Sequence, residues 1–223
     1  MTQPTRTGDV HYTTYAVFAR RSPAADNIAT AAEAVIARLT ADGITVRGLY
    51  DVHAMPANAD VLVWLTGASP SDLQEAVRAF EHEAFGGTAA LVWSGVGVHR
   101  QAEFSRDHAP AFLLGVPPKR WLTVYPFIRS YEWYVLPEEE RRGMLAEHGR
   151  AGREFPQVAS NTVAAFALGD YEWLLALEAD DLIDLVDLMR HLRATEARRH
   201  VRLEVPFFTG SRIDPVDLRR VLR

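Results

Sequence analysis

The 223-residue chain contains no cysteine. That absence removes disulfides, thiolate nucleophiles, iron–sulfur clusters, cysteine-held zinc and thiolate-ligated haem, so any metal must be held by His or carboxylate. Lysine is almost missing as well, since Lys119 is the single lysine among 24 basic residues. A formal net charge of -5 argues against a protein that coats nucleic acid, because that binding needs a basic face. No apolar run approaches the roughly 20 residues needed to span a bilayer, and the N-terminal residues lack the apolar stretch of a signal peptide. A cytoplasmic location without a membrane span is expected. No H-E-x-x-H motif is present, and Gly95-Val96-Gly97 lacks both the third glycine and the following helix of a nucleotide loop.

What is present is a regular alternation of hydrophobic period. His11–Ala19 reads as a strand. Asp26 opens an amphipathic stretch with Ile28, Ala32, Val35, Ile36 and Leu39 on one face, ending at Gly43. Two short strands follow at Thr45–Tyr50 and Val61–Thr66. A second helix begins near Ser69 and Ser71, carries Leu73, Ala76, Val77 and Phe80, and stops at Gly86-Gly87. Ala89–Val96 closes this half.

After an irregular stretch the same β-α-β-β-α-β order returns. Leu122–Val135 reads as a strand, and Pro137–Gly149 as a helix with Glu138, Glu139 and Glu140 in its first turn. Thr162–Leu168 and Glu172–Leu177 form a hairpin around Gly169-Asp170. Asp180 and Asp181 open a helix with stripe Leu182, Leu185, Val186, Met189 and Leu192, and Val201–Phe208 is the last strand. The expected fold is α+β, of the dimeric α+β barrel type. Its two ferredoxin-like βαββαβ halves are 1–98 and 122–223, joined by a connecting segment 99–121.

Of eight histidines, His11, His53, His82, His99, His191 and His200 fall on strands, turns or charged faces without a partner at metal-binding spacing. His148 lies in the last turn of its expected helix on a face with Met144 and Leu145. It is either a core histidine bonded to an end-of-helix carbonyl or an axial haem ligand, since haem iron requires a neutral imidazole whose second nitrogen is tied down. His108, in the irregular stretch, is either a solvated loop residue or a base for a peroxide-like acid. Tyr125 and Trp133, eight apart, share a face if one strand carries both, and core packing is the alternative to chemistry. Arg198, Arg199 and Arg202 read as a solvated cluster, with arginines beside a cleft suited to carboxylates.

The segment Tyr125-Pro-Phe-Ile-Arg-Ser-Tyr-Glu-Trp-Tyr, then Leu136-Pro-Glu-Glu-Glu-Arg-Arg and Glu147-His-Gly-Arg-Ala-Gly-Arg, resembles the chlorite dismutase-like superfamily. Within it, the resemblance is to the actinobacterial branch of the coproheme decarboxylases, and it covers nearly the whole chain. It implies that His148 is the proximal iron ligand. Tyr125 would form the radical that abstracts hydrogen from a propionate of iron coproporphyrin III. His108 would be the distal base for hydrogen peroxide, and Trp133 an aromatic that shares or misdirects the radical. Arg129, with Asn161, Arg199 and Arg202, is expected around the porphyrin carboxylates.

The implied reaction converts coproheme to haem b through a three-propionate intermediate, with the substrate as its own redox centre. The resemblance also implies a homopentamer, and a coproporphyrin ferrochelatase as the partner that supplies substrate. Chlorite dismutases carry an arginine thirteen residues after the proximal histidine. That position is Asn161 here, which supplies no charge to a departing oxyanion and places chlorite breakdown below decarboxylation. A haem carrier or sensor, a haem peroxidase, and an iron-free binding module are the alternatives from other classes.

Overall fold

A computed structural model of the chain describes residues 10–99 and 109–223. Its two compact units are Met1–His99 with Phe208–Arg223, and Arg100–Phe207.

The first unit holds β1 (His11–Arg20), α1 (Ile28–Ala41), β2 (Thr45–Asp51), β3 (Val61–Gly67), α2 (Pro70–Ala79) and β4 (Ala89–His99). Its antiparallel strands lie in the order β4-β1-β3-β2, which is the ferredoxin-like arrangement expected from the element order. The core lies between one sheet face and the helices: Ala16, Phe18, Val63 and Leu65 meet Ile28, Ala32, Val35 and Leu39 of α1 and Leu73 and Ala76 of α2. Burying each large aliphatic side chain contributes about 1.5–3 kcal/mol. Ser69 caps α2 by accepting from Asp72 N, whereas Asp26 does not cap α1 and is ion-paired with Arg219 instead. Gly43 follows α1 at φ +83, a left-handed conformation that glycine adopts without a Cβ clash.

The second unit repeats the order with β5 (Trp121–Arg129), α3 (Glu138–Arg153), β6 (Ala159–Ala164), β7 (Trp173–Ala179), α4 (Leu182–Leu192) and β8 (Val201–Leu203). Its strands run β8-β5-β7-β6, the same spatial order as the first unit. Asp181 caps α4 by accepting from Ile183 N.

Four expectations are corrected here. The strand expected over Leu122–Val135 ends at Arg129, and Trp133 lies in a short 3-10 turn, Trp133–Val135, so Tyr125 and Trp133 do not share a strand face. The helix expected to stop at Gly149 continues to Arg153 with Gly149 and Gly152 inside it, because a helix tolerates glycine at about 1 kcal/mol when its remaining turns are satisfied. The hairpin expected from Thr162–Leu168 and Glu172–Leu177 forms with a wider connection, since β6 ends at Ala164 and β7 begins at Trp173. Val201–Phe208 is not one strand: β8 ends at Leu203, and β9 (Phe208–Ile213) pairs with β2 in the first unit, where α5 (Leu218–Val221) adds Leu218 and Val221 to the core.

Candidate functional site

Strand alternation in β5 directs Tyr125, Phe127 and Arg129 to one face, and all three line a pocket in the second unit. Leu175 of β7, directly opposite Tyr125 in register, adds to the wall. Met189 and Leu192, three apart on α4, close another side with Arg193, while α3 contributes His148. The rim is completed by Ala197, Arg198, Val201 and Glu204.

His148 is half-buried and its Nδ1 lies 3.1 Å from Thr195 Oγ1. That hydroxyl already donates its proton to Leu192 O at 2.9 Å, so it can only accept from the ring. His148 therefore carries its proton on Nδ1, leaving Nε2 with a free lone pair. Burial, followed by the nearby Arg129 cation, lowers the pKa of the imidazole below its ordinary value, which favours the neutral form that metal ligation requires. The partner expected from the sequence, an end-of-helix carbonyl, is replaced by the Thr195 hydroxyl because α3 runs past His148. Among the described residues no group of three or more His, Asp or Glu side chains could hold a metal. A single available imidazole would suit a metal whose remaining ligands come from a macrocycle rather than from the protein.

Tyr125 is 4% exposed. Its hydroxyl donates to Met189 Sδ at 3.4 Å, and its ring stacks on Phe207 with centroids 4.5 Å apart. Burial, and secondarily the charge of Glu204, pushes the phenol pKa up, so Tyr125 keeps its proton across the neutral range. Arg129 holds its guanidinium 4.2 Å from the Trp133 ring centroid and 4.9 Å from that of Phe127, and its backbone N–H donates to Glu172. Trp133, 1% exposed, is thus adjacent to a pocket residue without being one of those that line the pocket.

The other expected residues are placed elsewhere. Asn161 is 0% exposed and its amide is engaged within the protein, accepting from Phe112 N and donating to Ala176 O and Glu178. Arg199, paired with Glu196, and Arg202, which donates to Tyr131 Oη, do not line the pocket. His108 lies outside the described residues. The arginine cluster therefore splits, with Arg198 on the pocket wall beside Arg193. Both arginines bond to Glu204, Arg193 through two nitrogens and Arg198 at 2.6 Å. Arg193, Thr195 and Glu204 were not singled out by sequence reading. The only signal for Arg193 was its spacing, four residues after Met189 on the same helical stripe, and the other two carried none.

The family described as chlorite dismutase matches residues 25–213. The coproheme decarboxylase of Mycolicibacterium smegmatis is 55% identical over 177 residues, covering 79% of this chain and 77% of that protein. A protein from Haloquadratum walsbyi named for heme binding is 28% identical over 188 residues, which cover 74% of this chain but only 35% of that protein. Chlorite dismutase from Candidatus Nitrospira defluvii in complex with imidazole superposes with a TM-score of 0.80 at 19% identity, covering 97% of this chain and 95% of that one, a likeness that speaks for the fold alone. With the duplicated ferredoxin-like order and a family match that spans both units, the chain belongs to the chlorite dismutase family.

Proposed function

We propose that this protein is a coproheme decarboxylase, which removes carbon dioxide from two propionates of iron coproporphyrin III and yields haem b by way of a three-propionate porphyrin. The observation that carries the proposal is a pocket that joins a neutral His148, its Nε2 lone pair free, to a buried Tyr125 and three arginines. The 55% identity to the Mycolicibacterium smegmatis enzyme supports it.

The iron porphyrin is substrate and supplies the redox centre when bound, with hydrogen peroxide as the two-electron oxidant. For each propionate the balance is one carboxylate, one peroxide and one proton giving one vinyl group, one carbon dioxide and two waters. His148 holds the iron through Nε2, and Thr195 fixes the ring. Tyr125 gives up its phenolic hydrogen and takes one from a propionate carbon. The weak acceptor at Met189 leaves that hydrogen unhindered by a strong bond. Arg129, Arg193 and Arg198 offer donors to the carboxylates. Leu175, Leu192 and Phe127 exclude water from the porphyrin face. His108 as the base for peroxide, Trp133 as the neighbour that shares the radical, a homopentamer, a cytoplasmic setting and substrate supply by a ferrochelatase complete the proposal, and the family resemblance supports each. The two ferredoxin-like halves, joined by a connector that carries His108, belong to it too.

Purified protein loaded with ferric coproporphyrin III and titrated with hydrogen peroxide tests it. Stepwise loss of two carboxyl groups by mass spectrometry is expected. A Soret shift without carbon loss would instead identify a haem carrier or peroxidase.

A further inference from the structure

The pocket wall contains one carboxylate among its cations. Three arginines, Arg129, Arg193 and Arg198, line the pocket together with Glu204, a formal +2 with His148 neutral. Glu204 Oε2 lies 2.7 Å from Arg193 Nη2 and 2.6 Å from Arg198 Nη1, and Oε1 accepts from Arg193 Nη1 at 3.1 Å. Glu204 thus closes the two-nitrogen fork of Arg193, the face that binds a carboxylate with two parallel bonds. The glutamate side chain is 13% exposed while each arginine is 38% exposed, so the acid lies behind the two cations and the cations reach toward solvent.

We propose that Glu204 is an internal competitor for the ligand's carboxylates. It holds Arg193 and Arg198 in place, occupies hydrogen-bonding capacity that a porphyrin carboxylate would otherwise take, and reduces the pocket's positive field. The inference rests on the coproheme reading and deepens it. A pocket without this acid would bind every carboxylated porphyrin more tightly. With it, a ligand is retained in proportion to its carboxylates, and a product with fewer of them leaves. Glu204 is a positioning and specificity residue and takes no part in bond breaking.

The test uses metal-free porphyrins, which bind without turnover. Coproporphyrin III, with four carboxylates, and protoporphyrin IX, with two, are titrated into wild-type protein and Glu204→Gln at several salt concentrations, and binding is followed by tryptophan quenching. Glu204→Gln should tighten coproporphyrin III by about fivefold or more, the size of one partly screened charge interaction, and protoporphyrin IX by less. Its Kd should rise more steeply with salt than that of the wild type. Glu204→Asp, which keeps the charge, should show no tightening. Glu204→Ser is the second charge-removing variant if the glutamine form folds poorly, with the same tightening expected. Unchanged or weaker binding by correctly folded charge-removing variants overturns the proposal and leaves Glu204 as a support for the arginines. If the wild type binds neither metal-free porphyrin, this inference fails; if it does not bind ferric coproporphyrin III either, the coproheme reading fails as well.

Discussion

The guanidinium of Arg129 lies 4.2 Å from the centroid of the buried Trp133 ring. A cation over an indole face is attracted by its electrons, by about 0.5–2 kcal/mol depending on desolvation, and the same field opposes withdrawal of an electron from that ring. Tyr125 stacks on the uncharged Phe207 instead. Arg129 therefore acts on Trp133, in addition to the role proposed for it toward substrate carboxylates. Arg129→Gln should shift peroxide-driven oxidation in the protein loaded with ferric coproporphyrin III from Tyr125 toward Trp133. Peptide mapping by mass spectrometry reads this, and an unchanged distribution of oxidised residues refutes it.

Tyr125→Phe removes only a hydroxyl whose partner is the Met189 thioether. Stability should change by less than about 1 kcal/mol, and coproheme should still bind. Carbon dioxide release should fall at least a hundredfold, measured by mass spectrometry of the porphyrin. Normal haem b yield would remove Tyr125 from the mechanism.

Thr195→Val keeps the shape of the side chain and deletes the oxygen that accepts from His148 Nδ1. Loss of the partner that orients a metal-binding imidazole typically weakens binding by about 10–100-fold. The affinity for ferric coproporphyrin III should fall by that order, while that for the metal-free porphyrin stays within about twofold. Equal losses for both would show that Thr195 only packs.

The pKa of His148 is lowered by burial and by Arg129. The folded state thus binds this proton less readily than the unfolded state does. The contribution of the neutral ring is fully present above the ordinary value near 6.5 and is lost as pH falls through the folded value. The apoprotein should become easier to unfold with urea as pH drops below about 6.5, and His148→Gln should flatten that dependence. Affinity for iron porphyrin should weaken progressively as pH falls, since the proton competes with iron for Nε2. A His148→Gln profile that parallels the wild type would contradict this assignment.

Asn161→Leu deletes the hydrogen bonds of a fully buried amide to Phe112 N, Ala176 O and Glu178. The expected loss is about 2–4 kcal/mol of stability, read as a lower urea midpoint. A variant that lost porphyrin affinity at undiminished stability would return Asn161 to the pocket.

Much of the fold was legible because strands and helices of an α+β chain write their burial into periods of two and 3.6. α1 and α2 follow the helical period through Ile28, Ala32, Val35 and Leu39 and through Leu73 and Ala76, whereas β1 and β3, buried on both faces, were legible as apolar runs between turns. β5 was overextended because Trp133, Tyr134 and Val135 have strand-like composition, and only the turn after Arg129 tells them apart. The end of α3 was misread at Gly149 because a glycine signals termination only where the following residues cannot continue the helix. The candidate site was legible through the family resemblance, which singled out Tyr125, Arg129 and His148, three residues that line one pocket. It was not legible at Arg198 against Arg199, neighbours that differ only in which side of a 3-10 turn they face.

By itself the sequence determined the element order, its repetition and the absence of thiolate ligands, which follow from local composition and period. That Tyr125 and His148 act together in the second half is what the family resemblance implied. The tertiary structure alone decided which nitrogen of His148 is free, because the deciding hydroxyl lies 47 residues away. It alone decided that Glu204, not solvent, meets Arg193 and Arg198, and that Asn161 is bound up in the protein's own hydrogen bonds. Each depends on distances between segments that are remote along the chain, and no local pattern encodes such distances.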